Sequence, residues 1–184
     1  LAANIDNHEY LLADDQEVTP IPSAPSKPLQ APTEDAPLFK ALVGTLQTED
    51  LESRFNAAFA LGKLAINPEN HLLIGRCGAI GPAIDVAALD HIPAQCQAVS
   101  VLRRLCNQEE NRVKILEAGG LVPLAKAAVI EDLETQREVA ACVCNLSLSD
   151  VAKLPIAQSG VLRPLIKLCQ SADVEVARQA CGAC

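Results

Sequence analysis

Apolar positions in this chain recur on two length scales. Within short segments they fall three and four residues apart, as on one face of an α-helix. Leu38, Leu42 and Leu46 mark a helix over residues 37–48, and Phe55, Ala58, Leu61 and Ala65 one over 51–65. On the longer scale the whole pattern returns every 41 residues without a gap. Ile74, Ile115 and Ile156 superpose, as do Leu51, Ile92, Leu133 and Val174, then Ala57, Ala98, Val139 and Ala180, and finally Leu64, Leu105 and Leu146. Glycines at 78, 119 and 160 and prolines at 82, 123 and 164 keep the same step. Residues 111–147 form the cleanest copy. Self-similarity near 40 residues with a helical period predicts an all-α stacked solenoid instead of one globular core.

Each unit reads as three helices. Asn70 is expected to cap a short first helix that ends by Cys77, an Asn side chain being able to accept from free first-turn amides. Gly78 supplies the positive φ that stops it, and Pro82 sits where a missing N–H costs nothing. Helices near 82–89 and 93–106 follow, and the third unit starts the same way at Asn111, with its third helix over 133–148. In the fourth unit Ala152 replaces the Asn, leaving Asp150 as the expected cap, and Gly160, Pro164 and a helix to about Cys169 lead into 174–184. The units are 37–69, 70–110, 111–151 and 152–184, the last truncated. Cys184 falls in mid-pattern, as expected of an internal piece of a longer protein. Val161, Leu165 and Leu168 are expected to lack cover there, which predicts self-association.

Before this array the pattern breaks. Pro20, Pro22, Pro25, Pro28 and Pro32 recur through residues 14–36 among acids and small polar residues. That density forbids helix and predicts a disordered acidic insertion or linker. Residues 1–12 align with 64–74 through Leu1, Ala2, Asn4, Asn7 and His8, so 1–13 read as the remnant of a preceding repeat.

The string N-R-x-x-I-x-x-x-G-G-L-x-P-L from Asn111, followed by A-A-x-V-x-N-L-S from Ala140, resembles the armadillo repeat. Residues 37–184 fit it, about four-fifths of the chain. HEAT repeats are the nearest rival but lack this glycine between a short first helix and a second. The resemblance implies a right-handed superhelix whose third helices line a groove for an extended partner segment. In that family an Asn precedes the leucine of the NL pair, with an aromatic residue often found four positions earlier. Here the first position holds Lys63, Arg104 and Asn145, and the earlier one Phe59, Ser100 and Ala141. Asn56, Gln97, Glu138 and Gln179 hold another polar third-helix position. Basic nuclear-localisation cargo is disfavoured by Lys63, Arg104 and the lack of any Trp. The pattern is more similar to the β-catenin mode, which takes acidic, extended partners.

Composition and charge narrow the picture. Apolar residues make up 49% but aromatics only 2%, so Ala, Leu, Val and Ile build the core. Of the net charge of −8, residues 1–36 carry −6 and the array only −2. An acidic chain without a basic stripe argues against nucleic acid. No apolar run nears the ~18 residues of a membrane span. The acidic 14–36 segment is expected to lie over Lys63 and Arg104 and compete with partners. Eight cysteines sit mostly in apolar helical contexts, as buried reduced thiols of a cytoplasmic or nuclear protein do. The Cys181-x-x-Cys184 pair reads as core packing, not a metal or redox site. His8, His71 and His91 are scattered, with His8 and His71 at equivalent helix starts suited to capping or surface use, and no phosphate loop is present. No cofactor is expected. The reading is a non-catalytic protein-interaction scaffold. The alternatives are the substrate-recruiting array of a larger enzyme, such as a U-box ubiquitin ligase, and a membrane-associated armadillo adaptor.

Overall fold

The computed structural model describes residues 36–184. The readings of 1–13 and of 14–36 therefore lie outside the described residues, Ala36 excepted, and so does the expected competition at Lys63 and Arg104. The first unit consists of α1 (Pro37–Leu46) and α2 (Leu51–Leu64). The second holds α3 (Asn70–Arg76), α4 (Ile80–Ala87) and α5 (Ile92–Leu105). The third holds α6 (Glu109–Glu117), α7 (Leu121–Ala127) and α8 (Leu133–Ser147). In the fourth a 3₁₀ turn, Asp150–Ala152, leads into α9 (Lys153–Gln158), α10 (Leu162–Leu168) and α11 (Val174–Ala183).

Repeat stacking generates two layers. The third helices pack in series, α2 on α5 on α8 on α11, while α1 meets α4 and α4 meets α7 behind them. Leu61, Leu102 and Leu146 are fully buried between these layers. Burying one such side chain stabilises the fold by about 2 kcal/mol. The turn between first and second helices depends on Gly78, Gly119 and Gly160, at φ 85°, 73° and 81°, a region that disfavours any side chain. Third helices are capped in register by Asp50, His91, Asp132 and Asp173, which accept from the amides of Ser53, Ala94, Thr135 and Val176 at 2.8, 3.2, 2.8 and 2.9 Å.

Several local expectations are overturned. In α1 the buried stripe is Phe39, Val43 and Leu46, with Leu38 56% exposed, because α2 packs on the 39–43–46 side. Asn70 and Asn111 are not caps, since each donates backward. Asn70 Nδ2 reaches the Leu64 carbonyl at 2.8 Å; Asn111 Nδ2 reaches those of His71 and Leu105 at 2.9 and 3.1 Å. Each side chain thereby satisfies a free carbonyl at the end of the preceding third helix, Leu64 or Leu105, and Asn111 also bonds the first helix of the preceding repeat through His71. Asp150 is no cap either, its carboxylate holding Lys153 Nζ at 2.7 Å. His71 is buried, with Nε2 2.8 Å from the Ala65 carbonyl, and is neither a cap nor a surface residue. Val161, Leu165 and Leu168 are buried, because α11 is long enough to cover them. Cys181 and Cys184 are exposed, so they are not core packing.

Candidate partner-binding groove

The exposed side of the third-helix layer presents one row of positions from each helix. On α2 these are Asn56, Phe59 and Lys63, all exposed. On α5 they are Gln97, Ser100 and Arg104, and on α8 Glu138, Ala141 and Asn145, all half-buried. A cleft of about 160 Å³ between α2, α5 and α8 draws six of the nine together: Phe59, Lys63, Gln97, Ser100, Arg104 and Glu138. Asn56, Ala141 and Asn145 do not line it. Gly62, Cys96 and Glu134 do, and the sequence reading missed them. Glu134 carried a signal, as it lies one turn before Glu138 in register with Glu52 and Glu175.

The electrostatics of the cleft follow from which charges are paired. Arg103 Nε donates to Glu138 Oε2 at 2.5 Å, so the Glu138 carboxylate is already engaged. Arg104 Nε is buried without a hydrogen-bond partner. Burial, and behind it the like charge of Arg103, holds the Arg104 guanidinium below the usual arginine range, against the weaker opposing pull of Glu138. A desolvated cation with an unmet donor favours an incoming anion. Lys63 Nζ lies 4.9 Å from the Phe59 ring centroid, a cation–π contact that positions the ammonium over the cleft. Phe59 is itself stacked on Phe55 at 6.4 Å between centroids. Asn145, the one family-like residue of its row, donates from Nδ2 to the Arg103 carbonyl at 3.3 Å and so bridges two repeats.

The cleft offers recognition more than chemistry. Burial pushes the Cys96 thiol up to about 11, too high for a thiolate nucleophile near neutral pH. Among the described residues no group of three or more His, Cys, Asp or Glu side chains is arranged to hold a metal ion. Among them too, no single helix is long and apolar enough to cross a membrane.

Comparison with known proteins places this geometry. Residues 149–183 match the family model described as Armadillo/beta-catenin-like repeat. No curated protein sequence matches the chain. Among solved structures, an engineered protein is 27% identical with a TM-score of 0.73, covering 79% of this chain and 60% of its own. A designed armadillo repeat protein in complex with the peptide (KR)4 is 25% identical, TM-score 0.73, covering 79% and 62%. Computationally designed armadillo repeat proteins for modular peptide recognition are 26% identical, TM-score 0.74, with the same coverage. The chain thus spans about 60% of the length of the structures it resembles. The 41-residue period, the glycine-linked first and second helices, the series of packed third helices and these matches agree: the chain has the all-α fold of an armadillo-repeat solenoid, and residues 149–183 match the repeat itself.

Proposed function

We propose that this chain is a non-catalytic scaffold that holds an extended segment of a partner protein along its third helices, with acidic side chains of that segment seated at Lys63 and Arg104. The observation that carries the reading is the partly desolvated Arg104, whose Nε has no partner, beside Lys63 in one cleft. Glu134 and Glu138 line the same cleft, but Glu138 is engaged by Arg103, so the charge that remains for a ligand near α2 and α5 is positive. The designed armadillo repeat protein in complex with (KR)4 lends support to peptide binding on this architecture. It also supplies the opposite-charge control. Extended chains suit such a surface because main-chain groups and alternate side chains are read by successive repeats.

A fluorescent peptide rich in Glu and Asp is titrated with the chain, and (KR)4 serves as comparison. Binding of the acidic peptide is expected, weakening as salt rises, and a Lys63→Glu/Arg104→Glu variant is expected to lose at least about tenfold in affinity, or 1.4 kcal/mol. Equal or tighter binding of (KR)4 by the native chain would overturn the assignment of acidic partners.

A further inference from the structure

The first helices carry a second surface, away from the third-helix groove. Between α6 and the 3₁₀ turn with α9, a groove of about 360 Å³ is lined by Val113, Leu116, Glu117, Val151 and Pro155. Val151 is 60% exposed, and Val113, Leu116 and Pro155 are half-buried. Aliphatic surface held open to water favours an apolar occupant.

The joint one unit earlier shows which charges this groove has lost. One period before Glu117, Val151 and Pro155 stand Arg76, Glu110 and Lys114. There Arg76 on α3 reaches Glu110 on α6 at 3.0 Å, and Lys114 Nζ meets the same carboxylate at 2.7 Å. Charge bridges that joint. Between the third and fourth units valine and proline replace two of the three charges, and the remaining one is reversed in sign. The Glu117 carboxylate is exposed and has no ion-pair or hydrogen-bond partner among the described residues. Other charges nearby are engaged, Asp150 with Lys153 and Glu109 with Arg112 and Ser149. The groove lies within the array. Glu110 and Lys114 keep 38% and 40% of their side chains exposed with a whole unit stacked beyond them, so this side of a joint faces solvent in either case.

We propose that the groove receives a basic, apolar segment of a partner protein, with one aliphatic side chain among Val113, Leu116, Val151 and Pro155 and a Lys or Arg against Glu117. The cation then gives this joint what Arg76 gives the one before it. An amphipathic helix presents two such side chains together, three or four residues apart. Its charge is opposite to that of a segment seated at Lys63 and Arg104, so the two surfaces select different ligands.

Fluorescence anisotropy of a labelled amphipathic peptide of Leu, Ala and Arg, titrated with the full 184-residue chain, tests this. The same peptide with Glu in place of Arg is the comparison. The Arg peptide is expected to bind saturably, and the Glu peptide at least about tenfold more weakly. Glu117→Arg and Val151→Glu alter exposed side chains, so native helicity by circular dichroism should persist. Glu117→Arg should weaken the Arg peptide at least about tenfold and strengthen the Glu peptide. Glu117→Arg/Val151→Glu rebuilds the pair of the preceding joint and should bind neither. Lys63→Glu/Arg104→Glu should not weaken the Arg peptide. Absence of binding by the Arg peptide, an affinity unmoved by Glu117→Arg, or a loss in Lys63→Glu/Arg104→Glu would each overturn the proposal. Self-association of the native chain that Val151→Glu abolishes would put a second copy in the groove and overturn it equally.

Discussion

At the scale of single residues, the joint between the second and third units is set by one pair. Asn111 is fully buried and bonds two carbonyls, and a Cβ on Gly75 would lie 2.0 Å from its Oδ1. One period on, the same two positions hold Leu116 and Ala152. Where the asparagine shrinks to alanine, the glycine grows to leucine, and this compensation accounts for the departure of Ala152 from the pattern. Gly75→Ala should therefore expel the Asn111 amide and leave buried carbonyls unmet, costing about 2 kcal/mol in urea denaturation. Adding Asn111→Ala removes the clash, so the double variant should lose clearly less than the sum of the singles. Strict additivity would show that the two side chains do not share this space. The sequence marked Asn111 as special but inverted its role. An asparagine can donate or accept, and only the position of neighbouring carbonyls decides between them.

At the scale of elements, adjacent repeats are tied by charges in addition to apolar stacking. Glu110 on α6 is held at about 2, first by Arg76 on α3 and then by Lys114; Asp173 is held at about 2, first by Arg137. Both carboxylates lie below their ordinary values of 4.5 and 3.8, so the charged form favours the folded state. Their stabilisation is complete above the unfolded values and is lost as pH falls from about 5 to about 2. Thermal unfolding should show Tm falling across that window. Glu110→Gln and Asp173→Asn should flatten the fall, the latter while keeping the cap, since Asn caps as well as Asp. An unchanged acid profile in both variants would remove these pairs from the account. Helix order and the glycine turns were legible in the sequence because positive φ and the 3.6-residue period each leave a residue signature. The ion pairs were not, for they join positions 34 and 36 residues apart that only the stacking geometry brings together.

At the scale of the whole molecule, repetition is what turns weak local signals into a surface. Lys63, Arg104 and Asn145 look unrelated in the sequence until the 41-residue step aligns them, and the structure then sets the first two in one cleft. That cleft was legible as far as the family row reached. Cys96 and Glu134 escaped because they belong to it through the depth and tilt of α5 and α8, which no periodicity encodes. The Arg103–Glu138 pair likewise decides which of two consecutive arginines keeps its charge available, a choice hidden at the sequence level. Where a partner lies is therefore the decisive question for this surface. Chemical-shift mapping of the labelled chain during titration with the acidic extended peptide measures that directly. The largest shifts are expected at Phe59, Lys63, Ser100, Arg104 and their neighbours on α2, α5 and α8. Shifts confined to the outer helices α4 and α7, or absent at saturation of binding, would contradict it.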